Sequence, residues 1–231
     1  MSKAPVNVPE KENTSNANNL NQKKMKRHLL NALFTIVITG IHAQHAEDGY
    51  YITRFNDSVT AKIKVPLNLV GEIKLSEMCH KVDVVDSTDS TITFAPGELK
   101  SFGFLMGGQV YTFVSKPVKE GYNSFLQALV VGESTSLYQY IETVQNTGYY
   151  ARTEPSLPFV YEHYTLEKPG GKYLFLNSDD GLDEVIKQLK IFYQKNSFAL
   201  LVIDKKFKAP RKLKKDITEV VETVNKYSWV N

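Results

Sequence analysis

Apolar and polar residues alternate with period two along most of the chain after Tyr50. In residues 59–65, four apolar side chains are separated by threonine and lysine, which is the pattern of a strand with one buried face. Turn signals such as Asn56-Asp57-Ser58 and Gly107-Gly108 separate such segments. The pattern predicts four hairpins, formed by residues 50–55 with 59–65, 82–85 with 91–95, 100–106 with 109–115, and 125–131 with 135–141.

The period changes to a helical one after Asn177. Weaker strand patterns at 149–152, 159–166 and 172–176 precede the change, and Ser178 or Asp179 is expected to cap the first helix. Apolar stripes then run through 182–192 and 213–227, and 198–203 is a short buried run that fits a helix or a strand. The sequence predicts an α+β fold in which an antiparallel β-sheet or partial β-barrel over 44–176 is covered by two or three amphipathic helices in 177–231.

The first 43 residues have a different pattern. Residues 1–22 are rich in Asn, Ser, Lys and Glu, a basic segment starts at Lys23, and an apolar run over 29–41 ends just before Ala43. A basic segment followed by an apolar run and a small residue is typical of a cleavable signal peptide. A membrane span fits less well, because the run is shorter than the roughly 20 residues that a span needs. Met25 is a candidate for the true start. The alternative to a signal peptide is a buried N-terminal helix. The chain is therefore expected to be exported to the periplasm or cell surface.

The charge is concentrated in the leader. Residues 1–43 hold six basic and two acidic residues, so the net charge of +3 becomes about −1 for residues 44–231. No nucleic-acid partner is therefore expected. The single cysteine, Cys79, cannot form an intrachain disulfide. A buried thiol is the favoured interpretation, and an intermolecular disulfide is the alternative.

Several motifs invite a catalytic or metal-binding interpretation. The segment Gly132-Glu133-Ser134-Thr135-Ser136 lacks the glycine that a nucleophile elbow needs two places after Ser134, so it is predicted to be a hairpin turn. Cys79 and His80 would point to opposite faces of a strand. The acids near Gly181 fit a helix start better than a calcium loop. The sequence predicts no catalytic residue, metal ligand or cofactor.

Two clusters remain as candidate binding surfaces. The first is a basic run without an intervening acid, which is a candidate for anionic lipid head groups or an acidic partner; it comprises Lys205, Lys206, Lys208, Arg211, Lys212, Lys214 and Lys215. The second is a set of tyrosines suited to binding a glycan or a protein; it comprises Tyr138, Tyr140, Tyr161 and Tyr164. The alternatives are a solvated charged loop for the first and ordinary sheet packing for the second.

Several short motifs resemble those of uncharacterised exported proteins of Bacteroidetes-type bacteria. They are Ala43-Gln44, Gly49-Tyr50-Tyr51-Ile52, Asn56-Asp57-Ser58-Val59, Phe94-Ala95-Pro96-Gly97-Glu98-Leu99-Lys100-Ser101-Phe102, Phe125-Leu126, Gly132, Leu137-Tyr138 and Val224-Asn225-Lys226-Tyr227. The resemblance spans roughly residues 49–227. It implies a location in the cell envelope and brings no known activity or functional residue.

Three functional hypotheses follow from the sequence. The first is a non-enzymatic binding or scaffolding module whose partner is an envelope protein or glycan. The second is a hydrolase of envelope polymers, which would need two carboxylates with shifted pKa values in one pocket. The third is a peripheral protein that contacts anionic membranes through the basic run. The sequence leaves the oligomeric state open.

Overall fold

The computed structural model describes residues 45–119, 122–144, 158–177, 179–207 and 212–227. These residues belong to one structural unit that begins at Gln44. The leader predicted over 1–43 and the strand predicted at 149–152 lie outside the described residues, so both stay predictions.

The strands form one antiparallel sheet. Within the described chain there are ten: β1 His45–Thr53, β2 Ser58–Val65, β3 Val82–Val85, β4 Thr91–Phe94, β5 Leu99–Met106, β6 Gln109–Lys119, β7 Tyr122–Val130, β8 Ser136–Val144, β9 Phe159–Lys168 and β10 Lys172–Asn177. Their order is β10-β9-β8-β7-β6-β5-β1-β2-β3-β4, and every neighbouring pair is antiparallel. The four predicted hairpins are confirmed, and the sheet is open, with β4 and β10 at its edges.

Four helices lie in the part of the chain that the structure describes. They are α1 Leu75–His80, α2 Leu182–Phe192, α3 Ser197–Lys206 and α4 Leu213–Tyr227. The predicted C-terminal helices are confirmed, and the run at 198–203 is helical. The predicted cap of α2 is wrong for Asp179: Gly181 occupies the N-cap position without a side-chain hydrogen bond, and Ser178 lies outside the described residues. Helix α3 has a side-chain cap, because the Asn196 side-chain oxygen Oδ1 accepts a hydrogen bond from the Ala199 amide at 2.9 Å.

Two apolar clusters form the core. The first joins the C-terminal helices to β8, β9 and β10 through Leu137, Tyr164, Leu166, Leu176, Val185, Leu189, Ile203, Ile217 and Val221. The second joins β2, β3, β5, β6 and β7 to α1 through Ile63, Val65, Met78, Val84, Phe102, Phe104, Phe113 and Phe125. The stripes of α2 and α4 therefore cover the sheet as expected, but they cover mainly its C-terminal strands.

The sheet is split between β7 and β8. These strands pair only over Gln127–Val130 and Leu137–Gln139, whereas residues 122–126 and 140–144 of the same strands do not pair with each other. Helix α1 contacts both strands at this gap. The Ser124 hydroxyl of β7 donates to the carbonyl of Cys79 at 2.7 Å. A six-residue helix thus replaces strand pairing and holds the two ends apart.

Candidate functional site

The split in the sheet opens into a cleft of about 490 Å³. Its lining comes from the end of α1 and from β6, β7, β8, β9 and β10. Six aromatic residues contribute to it: His80, Tyr122, Tyr140, His163, Tyr164 and Phe175. Cavities of this size that combine apolar rings with a few polar groups are typical of small-ligand sites.

The strand register brings the floor of the cleft together. Tyr140 of β8 lies opposite His163 of β9, and their rings stack with centroids 5.7 Å apart. Glu142, two positions after Tyr140, projects to the same side, since side chains at alternate positions share a face. Burial, together with the Glu142 charge, raises the pKa of Tyr140, so its hydroxyl keeps its proton at neutral pH. The floor therefore combines a flat ring pair with a carboxylate.

The rim of the cleft carries exposed aromatic side chains. Tyr122 of β7 is 72% exposed and Phe175 of β10 is 43% exposed, and the two belong to strands on opposite sides of β8 and β9. Asn123, Ser124 and Asn177 add amide and hydroxyl groups between them. A ligand entering the cleft would meet apolar surface from the rim and hydrogen-bonding groups from the walls.

His163 is held by two neighbours. Its Nδ1 lies 2.9 Å from the side-chain oxygen of Asn177, and its Nε2 lies 3.4 Å from a carboxylate oxygen of Glu142. The Nε2 atom is buried and has no hydrogen-bond partner. Sequence reasoning missed this group, because Glu142, His163 and Asn177 lie on three strands whose pairing the sequence did not specify.

Cys79 and His80 lie at the end of helix α1, so the expectation of a strand there is wrong. The two side chains still diverge. His80 lines the cleft and its ring meets the Tyr140 ring edge-on at 6.2 Å. Cys79 is buried, and burial raises the pKa of its thiol to about 11 despite a hydrogen bond with the backbone of Ile141. A thiol in this state is a poor nucleophile, because the thiolate is the reactive form.

The burial of Cys79 predicts slow alkylation. In the folded protein at pH 8, iodoacetamide is expected to modify Cys79 at least about tenfold more slowly than in the urea-unfolded chain. Mass spectrometry of timed samples measures both rates, and the unfolded chain is the control for reagent quality. Equal rates in the two states would contradict the buried thiol.

The four candidate tyrosines do not form one surface. Tyr138, Tyr140 and Tyr161 lie on one face of the sheet, since their cross-strand partners are Thr165, His163 and Glu142. Tyr164 lies on the other face and is only 1% exposed in the core beneath the helices, although it also contributes to the lining of the cleft. Tyr138 is 6% exposed and burial raises its pKa to about 12. Of the four, Tyr140 and Tyr164 contribute to the lining of the cleft.

The basic run spans the end of α3 and the start of α4. Lys205 and Lys206 occupy the last turn of α3, where positive charge is favoured by the helix dipole. Glu219 forms ion pairs with Lys206 and, at 3.9 Å, with Lys215. Lys214 donates to the Gln139 side chain at 2.7 Å.

The remaining three members of the basic run are Lys208, Arg211 and Lys212. Lys212 is exposed immediately before α4, while Lys208 and Arg211 lie outside the described residues. Part of the charge is therefore balanced within the fold, and binding to anionic membranes stays a prediction.

A second, wider cavity of about 870 Å³ lies along β1, β2, β3, β5 and β6. Asp48, Asp86 and Asp89 contribute to its lining. Asp86 has a local role, because hydrogen bonds from Thr88 and Ser90 lower the pKa of its carboxyl and close the β3–β4 turn. This cavity has two aromatic residues, Tyr50 and Phe104, and no side-chain amide in its lining, so we regard the cleft, with six aromatic residues and two asparagines, as the candidate site.

Within the described residues, no three His, Cys, Asp or Glu side chains are arranged to hold a metal ion. The helices of the same residues include none that is both long and apolar enough to cross a bilayer. The chain matches no protein-family model, no curated protein and no solved structure. The cleft must therefore be interpreted from its own chemistry.

Proposed function

We propose that the chain is an exported, non-enzymatic binding module of the cell envelope, and that its ligand is an envelope glycan held in the cleft between β7 and β8. The observation that carries the proposal is the combination of exposed rings at the rim with amide, hydroxyl and carboxylate groups between them. A sugar offers a flat apolar face and a ring of hydroxyl groups, which match these two kinds of surface.

The number of carboxylates in the cleft supports binding over hydrolysis. Glycoside hydrolysis generally requires a pair of carboxyl groups across the scissile bond. Among the described residues that line the cleft, Glu142 is the one carboxylate.

Export is supported by the leader pattern from Lys23 to Ala43, which also motivates a glycan of the envelope as the ligand.

The proposal is tested by titrating the full chain with β-1,4-linked tetrasaccharides of glucose, N-acetylglucosamine and glucosamine by calorimetry. We expect at least one tetrasaccharide to bind. Replacing Tyr122 or Phe175 by alanine is expected to raise Kd by about fivefold to tenfold, because an aromatic contact contributes on the order of 1 kcal/mol.

The matched control is Phe55→Ala. Phe55 is an exposed aromatic residue in the β1–β2 turn and does not line the cleft, so the affinity should stay unchanged. Absence of binding by all three tetrasaccharides, or equal losses in the rim variants and the control, would overturn the proposal.

A further inference from the structure

Four polar side chains reach across the sheet beside the cleft and together form an end wall. They are Lys116, Tyr138, Glu167 and Tyr173. Lys116 Nζ lies 2.9 and 2.8 Å from the two carboxylate oxygens of Glu167, although β7 and β8 separate their strands. The Tyr173 hydroxyl donates to the same carboxylate at 2.8 Å, and the Tyr138 ring centroid lies 5.4 Å from Lys116 Nζ. These contacts join the two sides of the split.

The strand register places the end wall immediately beyond the cleft. Each member of the wall lies two positions from a lining residue on its own strand, so it is the next side chain on the same face. The four lining residues are Val118 on β6, Tyr140 on β8, Thr165 on β9 and Phe175 on β10. The four steps lead in one direction, because β6 runs parallel to β8 while β9 is antiparallel to both β8 and β10. The wall therefore closes one end of the cleft.

The end wall is closely packed. Lys116 and Glu167 keep 20% and 18% of their side-chain surface exposed, and Tyr138 is 6% exposed. Attraction between the Lys116 charge and the Tyr138 ring adds to the ion pair. A ligand that passed through the wall would have to separate Lys116 from Glu167, and separating a largely buried ion pair is unfavourable. The wall is therefore a barrier to a ligand.

The opposite end of the cleft carries exposed side chains in the part of the chain that the structure describes. Tyr122, at the start of β7, is 72% exposed. Val144, at the end of β8, lies two positions beyond the lining residue Glu142 and is 40% exposed. The described residues thus form a groove with a closed end at the wall and a solvent-exposed end beside Tyr122.

We propose that the cleft binds one terminus of a glycan chain and not a segment from the interior of the chain. This inference rests on the proposed function and narrows it to the end of the polymer. A chain that binds through an interior segment continues past the site in both directions. The end wall blocks one of these directions, so the bound chain ends at the wall and leaves beside Tyr122. A cleft of about 490 Å³ suits a short terminal segment, since it lies within the size range of small-ligand sites.

Oligosaccharides with one blocked end test this inference. The β-1,4-linked tetrasaccharide that binds most tightly is prepared in two forms, with the same bulky fluorophore on the reducing end or on O4 of the non-reducing end. In calorimetry with the full chain, one form is expected to keep a Kd within about threefold of the unmodified sugar, because its fluorophore stays outside the cleft. The other form should not bind, since its fluorophore would have to pass the wall. Each form is the matched control for the other.

A spin label on the tolerated end of the tetrasaccharide locates the wall. The label leaves the cleft beside Tyr122, so it is expected to broaden the NMR amide signals of Tyr122 and Val144 more than those of Tyr138 and Glu167. Tyr138 and Val144 lie at opposite ends of the cleft, and their separation along β8 is about 20 Å at 3.3 Å per residue. The two ends can therefore be distinguished.

The outcomes separate the two proposals. Binding of both blocked forms, or of neither while the unmodified sugar binds, would overturn terminal recognition and leave the glycan-binding proposal standing. Stronger broadening at Tyr138 and Glu167 than at Tyr122 and Val144 would do the same. Failure of all three unmodified tetrasaccharides to bind would overturn both proposals.

Discussion

Replacing Asn225 by alanine is expected to lower the free energy of unfolding by about 2–4 kcal/mol, because three hydrogen bonds are lost and partly buried backbone groups remain unpaired. Asn225 lies near the end of α4 and reaches the turn between β7 and β8. Its oxygen accepts from the amides of Ser134 at 3.2 Å and Thr135 at 3.0 Å, and its nitrogen donates to the Thr135 carbonyl at 2.7 Å. Urea unfolding followed by circular dichroism measures the change.

Gly132 faces the Asn225 side chain, so a substitution at Gly132 tests the same contact from the β7–β8 turn. A Cβ atom added at Gly132 would lie 2.0 Å from the Asn225 side-chain nitrogen, so Gly132→Ala should destabilise the protein by about 1–3 kcal/mol through overpacking. In the Asn225→Ala background that neighbour is absent, and the same substitution should cost less. Glu222→Ala, on an exposed position of the same helix, should change the stability by less than about 0.5 kcal/mol. Strictly additive effects of the first two substitutions would contradict the contact.

The hairpins could be predicted because the residues that determine them, the turn and its two flanking strands, are close together in the sequence. Gly107 and Gly108, with φ of 58° and 78°, form the two-residue turn between β5 and β6, where positive φ is required. Alternation in the flanking segments then fixes which side chains are buried. The C-terminal helices were predictable for a similar reason, since α4 carries its apolar stripe over 15 residues.

The spacing of the candidate tyrosines already assigns them to different faces of the sheet. Tyr161 and Tyr164 are three positions apart, and an odd separation on a strand places two side chains on opposite faces. Tyr138 and Tyr140 are two apart and share a face with Tyr161. Spacing alone could therefore have excluded Tyr164 from a surface shared with the other three.

Helix α1 and the cleft could not be predicted in the same way. Six residues are too few to show a helical period, and α1 forms where it fits between β7 and β8. The pairing of Glu142, His163 and Asn177 depends on the register of β8, β9 and β10, and in the sequence β8 and β9 are not joined by a two-residue turn that would fix that register. Non-local pairing, rather than local propensity, creates the site.

A polar network lies on the face of the sheet that bears the cleft. Lys116 of β6 lies 2.8 and 2.9 Å from the two carboxylate oxygens of Glu167 in β9, although β7 and β8 separate their strands. The Tyr173 hydroxyl donates to the same carboxylate at 2.8 Å, and the Tyr138 ring lies 5.4 Å from the Lys116 nitrogen. This ion pair therefore connects the two parts of the sheet near a place where strand pairing is short.

Removing the carboxylate should destabilise the fold measurably. Glu167→Ala is expected to cost about 2 kcal/mol, somewhat below the loss for a fully buried pair, because Lys116 and Glu167 keep about one fifth of their side-chain surface exposed. Urea unfolding at pH 7 gives the value. Glu72→Ala, an exposed acid in the loop after β2, is the control and should have little effect.

The same carboxylate predicts how stability changes with pH. Burial alone would raise the pKa of Glu167, but hydrogen bonds from Lys116 and Tyr173 outweigh it and hold that pKa below its ordinary value of 4.5. A carboxyl whose pKa is lowered by folding stabilises the protein fully above its ordinary pKa, and this contribution is lost as the pH falls through the folded-state value. The wild type should therefore lose stability between pH 5 and pH 3 more steeply than Glu167→Gln, which cannot titrate there. Parallel curves for the two proteins would mean that the Lys116–Glu167 pair does not link proton binding to folding.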